Sequence, residues 1–238
     1  MTNIPRYAAS LLLLSTIPLS NTGLAAGIHD IPSYTLRYAV SFQENSLGEV
    51  EIAIKNPGRG HVVVRGETFP NALANMFGDG KVIETVEYTE HGNVLRLDRL
   101  TEEKGRKNPV TRNMRVDHRN ERLLTDRKQF MINNNDQIDA YSFPLLSILG
   151  LSDNSDGQEV QLVSASKVHR YRNLPSTHET IVNQAGSFKT LKRSKTRLNN
   201  SRTIELWLTE SKPTIPVQIQ VNRDDGQQIL ISLISIQE

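Results

Sequence analysis

The chain contains no cysteine among its 238 residues. Disulfides, thiolate nucleophiles, iron–sulfur clusters and zinc–thiolate sites are therefore excluded. Aromatic residues make up only 5 % of the chain, with a single tryptophan, Trp207. The basic stretches carry Tyr171 and Phe188 and little else to stack on bases, so no nucleic-acid partner is expected. Catalytic signatures are missing too. "GLSDN" at 150 lacks the second glycine of a nucleophile elbow. "HETIV" at 178 has Val182 where a zinc protease needs its second histidine. "GDGK" at 78 lacks the spacing of a phosphate loop. The six histidines, at 29, 61, 91, 118, 169 and 178, are scattered. No metal, no cofactor and no enzyme activity are expected.

The first 26 residues, "MTNIPRYAASLLLLSTIPLSNTGLAA", have the pattern of a cleaved signal peptide. One positive charge, Arg6, precedes an apolar run around Leu11–Leu14, and small residues follow. Cutting is expected after Ala25 or Ala26. Ser15, Pro18 and Ser20 interrupt the run, which is too short to cross about 30 Å of hydrocarbon. Residues 27–238 are expected to be exported to the periplasm as a single β-barrel-like domain with no membrane span. Two segments are strongly basic. Residues 99–128 hold ten Lys/Arg against five Asp/Glu, and residues 167–202 hold nine against one. Folded onto one face, they would attract anions.

Period-two alternation dominates the rest. In "YTLRYAVSF", Tyr34, Leu36, Tyr38, Val40 and Phe42 share one face. "GEVEIAIK" and "HVVVRGETF" continue an antiparallel meander, with turn chemistry at "ENSLG" and "NPGRG". "FPNALANMFGDG" (69–80) predicts a short helix burying Leu73, Met76 and Phe77. "DQIDAYSFPLLSILGL" (136–151) predicts a second, capped by Asp136 and broken at Pro144. About a dozen strands are expected. No strand is followed by a long helix, which argues against a parallel sheet. The fold class is therefore mainly β: a many-stranded antiparallel sheet curled into a barrel or half-barrel, with two short capping helices. An outer-membrane barrel is disfavoured by outward charges and scarce aromatics.

The closing strands carry a resemblance. "TIELWLT", "PVQIQV" and a strongly apolar last strand resemble the end of an exported bacterial family catalogued as domain of unknown function 3108. The opening "YTLRYAVSF…GEVEIAI" pair, "DAYSFPLLSIL" and "ETIVNQAGSFKTLKRSK" are similar to further family elements, so the likeness spans about residues 34–236. It implies a periplasmic, mostly antiparallel β fold and no catalytic residues. After Thr68 the chain is poor in the aromatics usual in the family.

The expected function is non-catalytic: binding or carrying an apolar or anionic envelope component such as a lipid, lipopolysaccharide or glycan. Tyr38, Phe42 and Trp207 are the candidate apolar contacts, and Lys189, Lys192, Arg193 and Lys195 the candidate anion contacts. Trp207 lies opposite Ile204, Leu206 and Leu208, so it either packs under a cap or lines a pocket. One alternative is an adaptor that pairs with another envelope protein. Another is a glycan hydrolase using Glu179 and Glu205, which needs two carboxyls about 5–9 Å apart in a cleft.

Overall fold

The computed structural model describes residues 33–58, 60–72, 80–91, 94–105, 110–133, 137–140, 156–164, 167–211 and 214–237. Their strands form one sheet with two wings. The first wing runs β1 (Tyr34–Phe42), β2 (Asn45–Gly58), β3 (His61–Pro70), β4 (Val82–His91), β5 (Val94–Lys104), β6 (Val110–Asp117), β7 (Arg122–Thr125) and β8 (Gln129–Met131). The second runs β9 (Gln137–Ala140), β10 (Glu159–Ser164), β11 (Lys167–Asn183), β12 (Gly186–Arg197), β13 (Thr203–Thr209), β14 (Pro216–Asn222) and β15 (Gln228–Gln237). The spatial order is β8-β7-β6-β5-β4-β3-β2-β1-β15-β14-β13-β12-β11-β10-β9. The wings thus join where β1 pairs with β15, Tyr38 facing Leu233 and Val40 facing Ile231.

Alternation puts one largely apolar face along this sheet. Leu36 faces Ile52, and Tyr34 faces Ile54, which in turn faces Val64. The row continues through Val86, Leu100 and Met114. In the other wing Ile231 faces Ile219, which faces Leu206. These side chains are buried, several completely. The opposite face carries the charges: Arg37 bonds to Glu49, and Glu67 holds both Arg65 and Lys81.

The sheet is mainly antiparallel, as expected, but not entirely. β9 pairs parallel to β10, with Asp139 beside Leu162. A parallel neighbour needs a crossover of a dozen or more residues, and residues 141–158 provide that length. Gln137–Ala140 was expected to begin a helix and is strand instead, because its backbone is claimed by β10. The rest of that expected helix, 141–151, and positions 73–79 of the first one lie outside the described residues. No capping helix is seen among the described residues.

Nor does the sheet close into a barrel. Closure needs its end strands to share a ladder. Among the described residues β8, three residues long, pairs with β7 alone, and β9 with β10 alone. Instead β9 packs against β5, ten or so strands away in the sheet order, and the Tyr88 hydroxyl of β4 donates to Asp139 Oδ1 of β9 at 2.6 Å. Side chains, not a ladder, bring the β9 end back onto the first wing.

One turn differs from expectation. The first hairpin turns at Gln43 and Glu44, both at positive φ (45° and 69°), rather than over 44–48. Leu47 is the extra residue of a bulge in β2, and at its neighbour Gly48 a Cβ would sit 2.2 Å from the Phe69 carbonyl oxygen.

Candidate functional site

The buried face is not wholly apolar. In the β9–β12 region it carries Asp139, His169, Asn173 and Lys195, all shielded from solvent. Lys195 is 1 % exposed and donates from Nζ to Asn173 Oδ1 at 2.7 Å. Asp139 is 3 % exposed; its Oδ1 accepts from Tyr88 and from the Ala140 backbone N–H at 2.7 Å. Burial pushes the Asp139 carboxyl up to about 6, against the pull of Tyr88, Ala140 and the Lys195 ammonium. Burial also pushes Lys195 down to about 8, although Asp139 opposes it. His169 Nδ1 accepts from Arg197 Nη2 at 2.6 Å. Burial, then the Arg197 charge, lower its pKa to about 4, so the ring is neutral at pH 7.

Local sequence explains how Asn173 comes to face Lys195. Pro175 has no N–H to give to a ladder. The register between β11 and β12 shifts there: Thr177 faces Lys192, and Leu174 faces Ser194. That shift turns the 169–173 segment so that His169, Tyr171 and Asn173 all point inward with Lys195.

The second polar assembly lies on the opposite face, around Trp207. The indole is 4 % exposed, and its Nε1 donates to Glu179 Oε2 at 2.7 Å. Lys192 Nζ stands 4.7 Å from the ring centroid and reaches Glu205 at 2.9 Å and Glu179 at 3.8 Å. Gln220 and Asn222 donate to the other Glu205 oxygen, and Asn222 also to Thr203. Glu179 and Glu205, singled out as a hydrolytic pair, do meet. Both carboxylates reach the one Lys192 ammonium.

The sequence candidates therefore separate. Tyr38 lies inside, its hydroxyl donating to the Pro216 carbonyl at 2.8 Å. Phe42 is half-buried at the end of β1. Trp207 is wall, covered by Lys192 and the β11–β12 hairpin. Lys189 is exposed on that hairpin; Lys192 points outward, while Arg193 and Lys195 face inward opposite Leu206 and Ile204. Strand alternation alone forbids these four cations from forming one patch. The two basic segments lie in opposite wings: 99–128 spans the end of β5, β6 and β7, and 167–202 holds β11 and β12. Sequence reasoning missed Tyr88, Asp139 and Asn173. Pro175 was the available signal for Asn173; nothing local marks the meeting of Tyr88 with Asp139.

A cavity of about 420 Å³ lies where the end of β2 (Pro57, Gly58) and the start of β3 (His61) meet Glu87 and Tyr88 of β4. Tyr88 thus both lines this cavity and bonds to Asp139. Among the described residues no cluster of three or more His, Asp or Glu is placed to hold a metal ion, and no helix is long and apolar enough to cross a membrane. Compared with family models and with curated proteins, the chain matches none.

Proposed function

We propose that this protein is a non-catalytic periplasmic binding protein, carrying an apolar envelope molecule with an anionic group inside a half-barrel. The observation that supports it best is the largely apolar buried face, drawn together where β9 meets β4 and β5, with a separate cavity at the end of β2 and β3 that Tyr88 helps to line. Such concave apolar space with few convergent polar groups is the usual form of a small-molecule site. In this reading Tyr38 and Phe42 belong to the apolar lining. Lys195 and Arg193, the inward cations, meet the acidic group, while Trp207 and Lys192 hold the wall. Lipid, lipopolysaccharide lipid or glycan would fit that chemistry. The periplasmic placement rests on the signal-like residues 1–26, and membership of the exported family described above rests on its strand motifs.

Native mass spectrometry of protein purified from cells tests the proposal. A co-purifying adduct of lipid mass, and a raised melting temperature when that lipid is added back, is the expected result. Repeated absence of any adduct, with no stabilisation by lipids, sinks it.

A further inference from the structure

The β9 end of the sheet is held by side chains where the rest is held by ladders. Among the described residues its four residues pair on one side, with β10. Across the interior, their contact with the first wing runs through packing on β5 and the Tyr88–Asp139 hydrogen bond. We propose that this seam is a pH-sensitive latch: an ionised Asp139 loosens β9 from β4 and β5, and a protonated one holds it shut. The inference does not rest on the carrier reading.

The physical reason is the burial of the carboxyl. A closed seam shuts Asp139 away from water, and an open one hydrates it. Closed, its pKa is about 6; open, it returns to the ordinary aspartate value of about 3.9. A group whose pKa is raised in the closed state favours closure below its ordinary value. That advantage is lost as pH climbs through the closed-state value. Opening therefore becomes easier as pH rises from about 4 to beyond 6.

Other groups facing Asp139 do not reverse the sign. From β4, Tyr88 is buried with its pKa raised far above neutrality, so it stays a hydroxyl donor. Glu84 lies further along that strand's inner face, opposite Glu102 of β5. From β12, Lys195 and Arg193 face inward; Lys195 titrates near 8 and stays charged through the range concerned. From β11 come Asn173, which is neutral, and His169, already deprotonated above about 4 through burial and Arg197. From β10, Leu162 lies beside Asp139. Among these described residues, Asp139 is the one buried between β9 and β4 whose charge changes between pH 5 and 7.

Hydrogen–deuterium exchange on the full chain, corrected for intrinsic rates, tests the latch. Between pH 5 and pH 7 the opening of residues 137–140 is expected to rise about tenfold. Amides of β1 and β15, at the centre of the sheet, should show no matching rise. In Asp139→Asn, which keeps a carbonyl acceptor for Tyr88 but cannot ionise, the rise should vanish. Equal opening at both pH values, a rise retained in Asp139→Asn, or an equal rise in β1 and β15 would each overturn the latch. The comparison of strands within the unaltered chain decides the matter even where the variant fails to fold.

Discussion

Replacing Lys195 with methionine gives a quantitative handle on the buried polar set. The two side chains are similar in length, and the substitution removes one ammonium from a position 1 % exposed. It also removes the donor to Asn173 Oδ1. Lys195 has a pKa near 8 in the folded chain, lowered by burial, against about 10.4 when unfolded. A group with a depressed folded pKa contributes stability that is fully present above its unfolded value. That stability is lost as pH falls through the folded value. From pH 7.5 to 9.5 this lysine should therefore add about 2 kcal/mol to folding, through linkage alone. The Lys195→Met chain cannot make that gain. Groups titrating in both chains cancel in the difference. The assay is urea unfolding at the two pH values, followed by the fluorescence of Trp207, the sole tryptophan. The stability difference between the two chains should move by about 2 kcal/mol in favour of the lysine chain at the higher pH. A difference that stays constant within about 0.5 kcal/mol would show that Lys195 is hydrated, and the buried placement of the set would be wrong.

Three further perturbations are accessible to thermal or chemical unfolding. Tyr38→Phe deletes a buried hydroxyl that donates to the Pro216 carbonyl and should cost about 1–2 kcal/mol, leaving that oxygen unsatisfied. Trp207→Ala empties a nearly closed site and strands the Glu179 acceptor; a loss of about 3–5 kcal/mol is expected. A wholly exposed indole would instead give a loss near zero. The pair Gln43→Asn and Glu44→Gly suits the positive-φ turn between β1 and β2. It should stabilise the chain by about 1 kcal/mol, as an asparagine–glycine turn is relieved of the left-handed cost.

Much of the sheet was legible as alternation. The set Tyr34, Leu36, Tyr38 and Val40 is buried as the period of two requires, and so are Ile204, Leu206 and Leu208. What escaped reading is what depends on distant strands. The segment "SFKTLKRSKT" is so rich in cations that it reads as surface, yet Lys195 is interior because its ladder position sets it opposite Ile204 of β13 and Asn173 of β11. The segment "DQIDAY" has helical spacing and a capping aspartate, yet β10 takes its backbone into a parallel pair. A parallel partner leaves no short-range mark in the sequence. Closure was expected from the number of strands. The chain meets the same need differently: the short β9, bound on one side, turns its Asp139 to Tyr88 instead of joining β8.

The most direct test of the seam is a nuclear Overhauser measurement on isotope-labelled protein. The Tyr88 hydroxyl and the Ala140 amide share one acceptor oxygen, Asp139 Oδ1. A cross-peak between the Tyr88 ring protons and the Ala140 amide proton is therefore expected at pH 5. Its absence, with Tyr88 and Ala140 each in contact only with their ladder neighbours, would mean that the two wings lie open and enclose nothing.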